Sequence, residues 1–130
     1  MTITLGRQQA IKLLQRAVAE KGEDYIYKKP GPVGSDCTYT TPDGAPSCIV
    51  GYVLGYLDPA FLEQINQMEW EYSDPVTASV ASMVSVFDLD LHLSFEALCV
   101  LASVQNLQDA GLIWGQAVAR SIRANPESES

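Results

Sequence analysis

The sequence predicts a helix-dominated α+β fold, in which a small antiparallel β-hairpin or sheet packs on about five or six helices. Three observations carry this. Apolar residues recur at helical spacing over most of the chain, two short β-favouring stretches flank the breaker-rich run at 28–36, and 130 residues is close to the commonest domain size. Residues 1–124 are read as one globular domain and 125–130 as a polar tail.

Taken in order, Thr4 is placed to cap a helix from Leu5 to about Lys21. Its stripe is Ala10, Ile11, Leu14, Ala17 and Val18, and Gly22 is its stop. Tyr25, Ile26 and Tyr27 favour a strand, as do residues 37–40 beyond the breakers, and together they read as a hairpin with a long loop. Pro42, Asp43 and Gly44 make a turn. Ser47 is positioned to cap a short helix from Cys48 to about Tyr56, and Asp58 followed by Pro59 opens another to about Met68. Asp74 and Pro75 repeat that start signal for a helix to about Val86, after which Phe87, Leu89, Leu91 and Leu93 alternate with polar residues as in a short strand. Ser94 caps an apolar helix from Phe95 to Ala110, expected to be central because its apolar residues run nearly all round. Gly111 separates it from a last helix over 114–124.

Charge is unevenly distributed. The formal net charge is −8, yet residues 1–29 are net positive, and between residues 30 and 119 there are eleven carboxylates and no Lys or Arg. Such a field repels phosphate backbones, so nucleic-acid binding is not expected. No stretch approaches the roughly 18 apolar residues of a membrane span, and the first eighteen residues scatter Arg, Gln and Lys where a signal peptide has an apolar block. The expectation is a cytoplasmic protein without membrane association, its three cysteines Cys37, Cys48 and Cys99 free thiols.

Four groups of residues are weighed for chemistry. Ser47 and Cys48 stand at a helix start, where unpaired amides and the helix dipole lower a thiol pKa, but a nucleophilic cysteine also needs a base and the single histidine, His92, has no sequence relation to it. A capped helix start with a buried thiol is the better reading, and no catalytic residue is assigned. Cys37, Cys48, His92 and Cys99 lack the close pairing of a zinc site, so neither metal nor cofactor is expected. Asp88, Asp90 and His92 alternate and share one strand face, which reads as the solvated side opposite Phe87, Leu89 and Leu91. Gln105, Gln108 and Asp109, late in an apolar helix, are read as satisfying backbone groups of the turn before Trp114. Trp114 is expected to anchor the last helix in the core.

The segments Gly22-Glu23-Asp24-Tyr25-Ile26-Tyr27 and Pro46-Ser47-Cys48-Ile49-Val50-Gly51, then Gln108-Asp109-Ala110-Gly111 with Trp114 and Ala117, resemble a group of short proteins from actinobacteria and their phages. The resemblance covers most of the chain and implies a source of the mycobacteriophage type. It also implies that Tyr25, Cys48, Gly51, Asp109 and Trp114 occupy recurring positions, while Ile113 departs from the pattern, which has a Thr or Ser capping the last helix.

Two functions compete on this reading. One is a non-enzymatic accessory protein that binds a host or viral protein through the acidic middle or through Trp70 and Tyr72. The other is a binder of a nucleotide-like anion, using the helix start at Ser47 and Cys48 together with Lys28 and Lys29.

Overall fold

The computed structural model describes residues 2–27, 38–70, 84 and 89–126, apart from the side chains of Glu69 and Trp70. Within these the chain runs β1 (Ile3–Leu5), α1 (Arg7–Lys21), α2 (Ile49–Leu57), α3 (Pro59–Trp70), β2 (Leu91–Leu93), α4 (Phe95–Asp109) and α5 (Trp114–Ala124). The α+β class and the dominance of helix are as expected, with five helices among the described residues. Val84 is also helical, while the rest of the helix expected over 75–86 lies outside them.

The sheet corrects the sequence expectation, because its two strands are parallel and distant. β1 pairs β2 in the register Ile3 with Leu91, Thr4 with His92 and Leu5 with Leu93. Thr4, expected to cap α1, sits in the strand, and Gly6 caps instead without a side-chain bond. The local cap signal lost to burial: Leu5 is fully buried, and the ladder is extended by Ile3 N donating to Asp90 O (3.0 Å) and Ser94 N donating to Leu5 O (3.0 Å). A parallel pair needs a long crossover, here the stretch that carries α1, α2 and α3.

The expected hairpin does not form among the described residues. Tyr25–Tyr27 is not a strand, and the antiparallel contact found is a single bridge between Thr40 and Pro46 around the 41–45 turn. The carbonyls of the 23–25 segment go to α5 instead: Trp114 N donates to Tyr25 O (2.8 Å) and Gly115 N to Glu23 O (3.0 Å). This explains how α5 starts at Ile113 without a capping side chain, since backbone carbonyls do the work of the absent Ser or Thr.

The core joins Leu5, Leu91, Leu14, Ile49, Leu54, Ile65, Leu101 and Trp114 from both strands and the five helices. α2 enters it through Gly51, where a Cβ would lie 2.1 Å from the Tyr39 carbonyl oxygen, so the 38–40 segment lies directly on the helix backbone. Asn66 of α3 holds the same region from the other side, its Nδ2 donating to Thr41 O (2.7 Å) and Thr40 Oγ1 (3.3 Å). α4 is less enclosed than its composition suggested. Ala97, Val100, Leu101, Val104, Gln105 and Gln108 are buried, but Phe95 at its first turn is 79% exposed.

Candidate functional site

The start of α2 gathers the residues that the sequence marked for ligand binding, and the protein's own groups satisfy much of it. Cys48 is the N-cap, with extended backbone and its side chain fully buried. Its N–H donates to Thr38 O (3.2 Å), and the Ser47 N–H donates to Tyr39 O (2.9 Å). The first helical amide, Ile49 N, donates to the side-chain oxygen of Gln108 (2.9 Å), which arrives from α4 across 59 residues. Gln108 in turn donates through Nε2 to the Asp109 carboxylate (3.1 Å), which orients the amide so that its oxygen faces the helix. A neutral carboxamide therefore occupies the position an anion would take. Gln108 does cap a buried backbone group, but at α2 and not, as expected, in the turn before Trp114.

Ser47 is buried as well, its hydroxyl donating to the phenolic oxygen of Tyr27 (3.2 Å). That oxygen also accepts from Thr38 N (3.2 Å) and donates to Thr38 O (3.3 Å). These contacts make one hydroxyl cluster that ties Tyr27 and Thr38 to the start of α2. Lys28 and Lys29, the cations proposed for the same site, and Cys37 lie outside the described residues, as do Tyr72 and the side chain of Trp70. Among the described residues Cys48 and Cys99 form no disulfide, the first buried and the second partly exposed.

Asp90 and His92 are exposed beside buried Leu89 and Leu91, the solvated-face arrangement expected, and Asp90 accepts from the Thr2 hydroxyl (2.6 Å); Phe87 and Asp88 lie outside the described residues. Among the described residues no group of three or more His, Cys, Asp and Glu could hold a metal ion, and no helix is long and apolar enough to cross a membrane.

Sequence reasoning missed two features. The first is a ladder of cations on tyrosines between α1 and α2. The Arg16 guanidinium lies 4.0 Å from the Tyr56 ring centre, and Lys21 Nζ lies 4.6 Å from Tyr25 and 5.9 Å from Tyr52. Tyr56 also donates its hydroxyl to the Glu20 carboxylate. The available signal was the spacing of four in both Arg16 with Glu20 and Tyr52 with Tyr56, which puts each pair on one helix face. The second is Phe95, which stands beside a groove of about 410 Å³ whose lining includes Cys99, Ala124, Asn125 and Pro126. A helix that is apolar nearly all round gives no local sign of which aromatic is left out.

Two expected results follow from this geometry. Gln108→Leu keeps the volume and removes the acceptor, leaving the buried Ile49 N–H without its partner at a cost of about 1–3 kcal/mol. A urea midpoint equal to wild type would refute the capping role. The tyrosines bear on alkaline stability. Tyr56 is raised above its ordinary value of 10.0, first by burial and then by its bond to Glu20 and that carboxylate's charge; Tyr27 is raised chiefly by burial, against its hydrogen bonds to Ser47 and Thr38. Both phenols thus hold their protons in the fold at a pH where the unfolded chain gives them up. Stability is fully present below pH 10 and falls as pH rises through that value toward the folded pKa values. Denaturant midpoints measured on both sides of pH 10 check this, and Tyr56→Phe is expected to flatten the decline.

Compared with known proteins, the chain matches no family model, no curated protein and no solved structure.

Proposed function

We propose that the chain is a small accessory protein of the phage type that acts without catalysis, by binding a host or viral protein in the bacterial cytoplasm. The observation that carries this reading is Phe95, a ring 79% exposed at the rim of a groove that ends in Ala124 and Pro126. An aromatic side chain beside a concave, largely apolar surface is the usual composition of an energetic anchor in a protein interface. The acidic 30–119 stretch favours a partner with a basic surface. Trp70 and Tyr72 belong to the same proposal as a second contact, and Trp70→Ala is expected to weaken binding while leaving folding nearly intact. The competing anion reading loses support because Gln108 already occupies the amide at Ile49.

The test is a photoreactive phenylalanine at position 95 in the host cell. A discrete protein adduct is expected, and the purified partner should bind Phe95→Ala at least about tenfold more weakly, a loss of about 1.4 kcal/mol. Absence of an adduct would count against the reading. So would a thermal shift with nucleotides, because a ligand at 100 times its dissociation constant stabilises by about 2.7 kcal/mol and would restore the anion site.

A further inference from the structure

Six of the eight Lys and Arg residues lie on two helices, Arg7, Lys12, Arg16 and Lys21 on α1 and Arg120 and Arg123 on α5. These helices pack antiparallel. At one end the Arg7 guanidinium donates to Asn125 O (3.2 Å), and at the other Gly115 N donates to Glu23 O (3.0 Å). Between them runs a groove of about 310 Å³, with Gln15, Val18 and Ala19 on one wall and Gly115, Ala119 and Ile122 on the other. Gln15, Ala19 and Ala119 are exposed.

We propose that this groove is the interface of a symmetric homodimer, filled by the same face of a second copy. The charge pattern along it is self-complementary. Lys12 stands one turn before Gln15 on the exposed stripe of α1, and Arg123 one turn after Ala119 on α5, so both cations mark the end where Arg7 meets Asn125. Glu23 lines the groove at the opposite end. A two-fold axis through the middle, near Val18 and Ala119, reverses one copy against the other and lays Lys12 of each copy over Glu23 of the other. The middle itself carries Ala19 and Ala119, small enough for the two helix pairs to approach closely. A face built from the 30–119 stretch would not match in this way, since it holds eleven carboxylates and no cation, and two copies meeting there would repel. An acidic helix from another protein would satisfy Lys12 and Arg123 but leave Glu23 against like charge.

Sedimentation equilibrium of the full chain from about 1 to about 300 µM tests this. The expected mass rises from 14.1 kDa toward twice that value with concentration. Lys12→Glu and Glu23→Lys should each raise the dissociation constant at least about tenfold, because two symmetric pairs turn from attraction to repulsion at once, and the double variant should recover wild-type affinity to within about threefold. Ala119→Arg, on an exposed helix position that tolerates the side chain in the monomer, should stay monomeric, with the melting curve the wild type shows at the dilute, monomeric end of the range. A wild-type monomer across the whole range would overturn the proposal. A dimer indifferent to Ala119→Arg, or single charge variants that the double does not rescue, would overturn it equally.

Discussion

Trp114→Ala is expected to cost about 3–5 kcal/mol, most of the stability of a domain whose total is about 5–15 kcal/mol. The indole is fully buried and packs edge-on against two rings at 77°, Tyr25 at 4.6 Å and Tyr52 at 5.6 Å between centres. It is the meeting point of three segments distant in sequence, because Tyr25 also accepts from the Trp114 backbone (2.8 Å) and Tyr52 comes from α2. Behind it on α5, Ala117, Val118 and Ser121 are buried on the same face, so the cavity left by truncation would loosen the whole helix. Trp114→Phe is expected to lose much less. The indole Nε1 is buried without a hydrogen-bond partner among the described residues, so the smaller ring gives up volume but no polar contact. Chemical denaturation followed by circular dichroism measures both. Equal stabilities for wild type and Trp114→Ala would be incompatible with the packing described.

Gly51→Ala should be comparably severe, although it adds a single methyl group. The new carbon would sit 2.1 Å from the Tyr39 carbonyl oxygen and 3.1 Å from its carbon, and both are backbone atoms. Tyr39 has little room to retreat. Its side chain is buried, and the same carbonyl accepts from Ser47 N (2.9 Å). Relief requires moving the 38–40 segment off α2, which breaks the hydroxyl cluster at Tyr27 and Ser47, and a cost of about 3 kcal/mol or more is expected. Gly55→Ala is the internal control. There the methyl would meet Leu62 Cδ1 at 2.7 Å, the end of a flexible side chain, and the gain in helix propensity of about 1 kcal/mol offsets the repacking. If both variants lose the same stability by urea titration, the close backbone approach at Gly51 is not what the glycine serves.

What could be read from the sequence was local chemistry, and what could not was decided by distant partners. Ser94 caps α4 as its position before an apolar run suggested, accepting from Ala97 N (3.1 Å). Asp58 does the same for α3, accepting from Ala60 N (3.0 Å) ahead of Pro59, and Gly111 takes the left-handed conformation (φ 97°) expected of a break between helices. α5 spans Trp114–Ala124, the range its periodicity indicated. Thr4 misled because a threonine before a helical stripe is as good a strand residue as a cap. The choice between them was made by Leu91–Leu93, some 88 residues away. Tyr25–Tyr27 has strand composition, but the Tyr25 carbonyl accepts from Trp114 N of α5. The candidate site was half legible: Ser47 and Cys48 do mark a helix start, but Cys48 and not Ser47 is its N-cap, because the Ser47 hydroxyl is turned to Tyr27. That Gln108 would fill it depends on how α4 lies against α2, and helix periodicity does not encode that.

The β1–β2 pairing has a consequence for how the chain is made. A ribosome releases residues 3–5 well before their ladder partners, which follow some 88 positions later in the register. At about 5–20 residues per second the first strand waits several seconds before it can be closed. During that interval α1, α2 and α3 can assemble among themselves, and the 23–25 carbonyls destined for α5 stay solvated. Closure of the sheet and docking of the last helix therefore come late in synthesis, and a nascent chain halted before residue 91 should present an N-terminal segment open to proteases that the finished protein withholds.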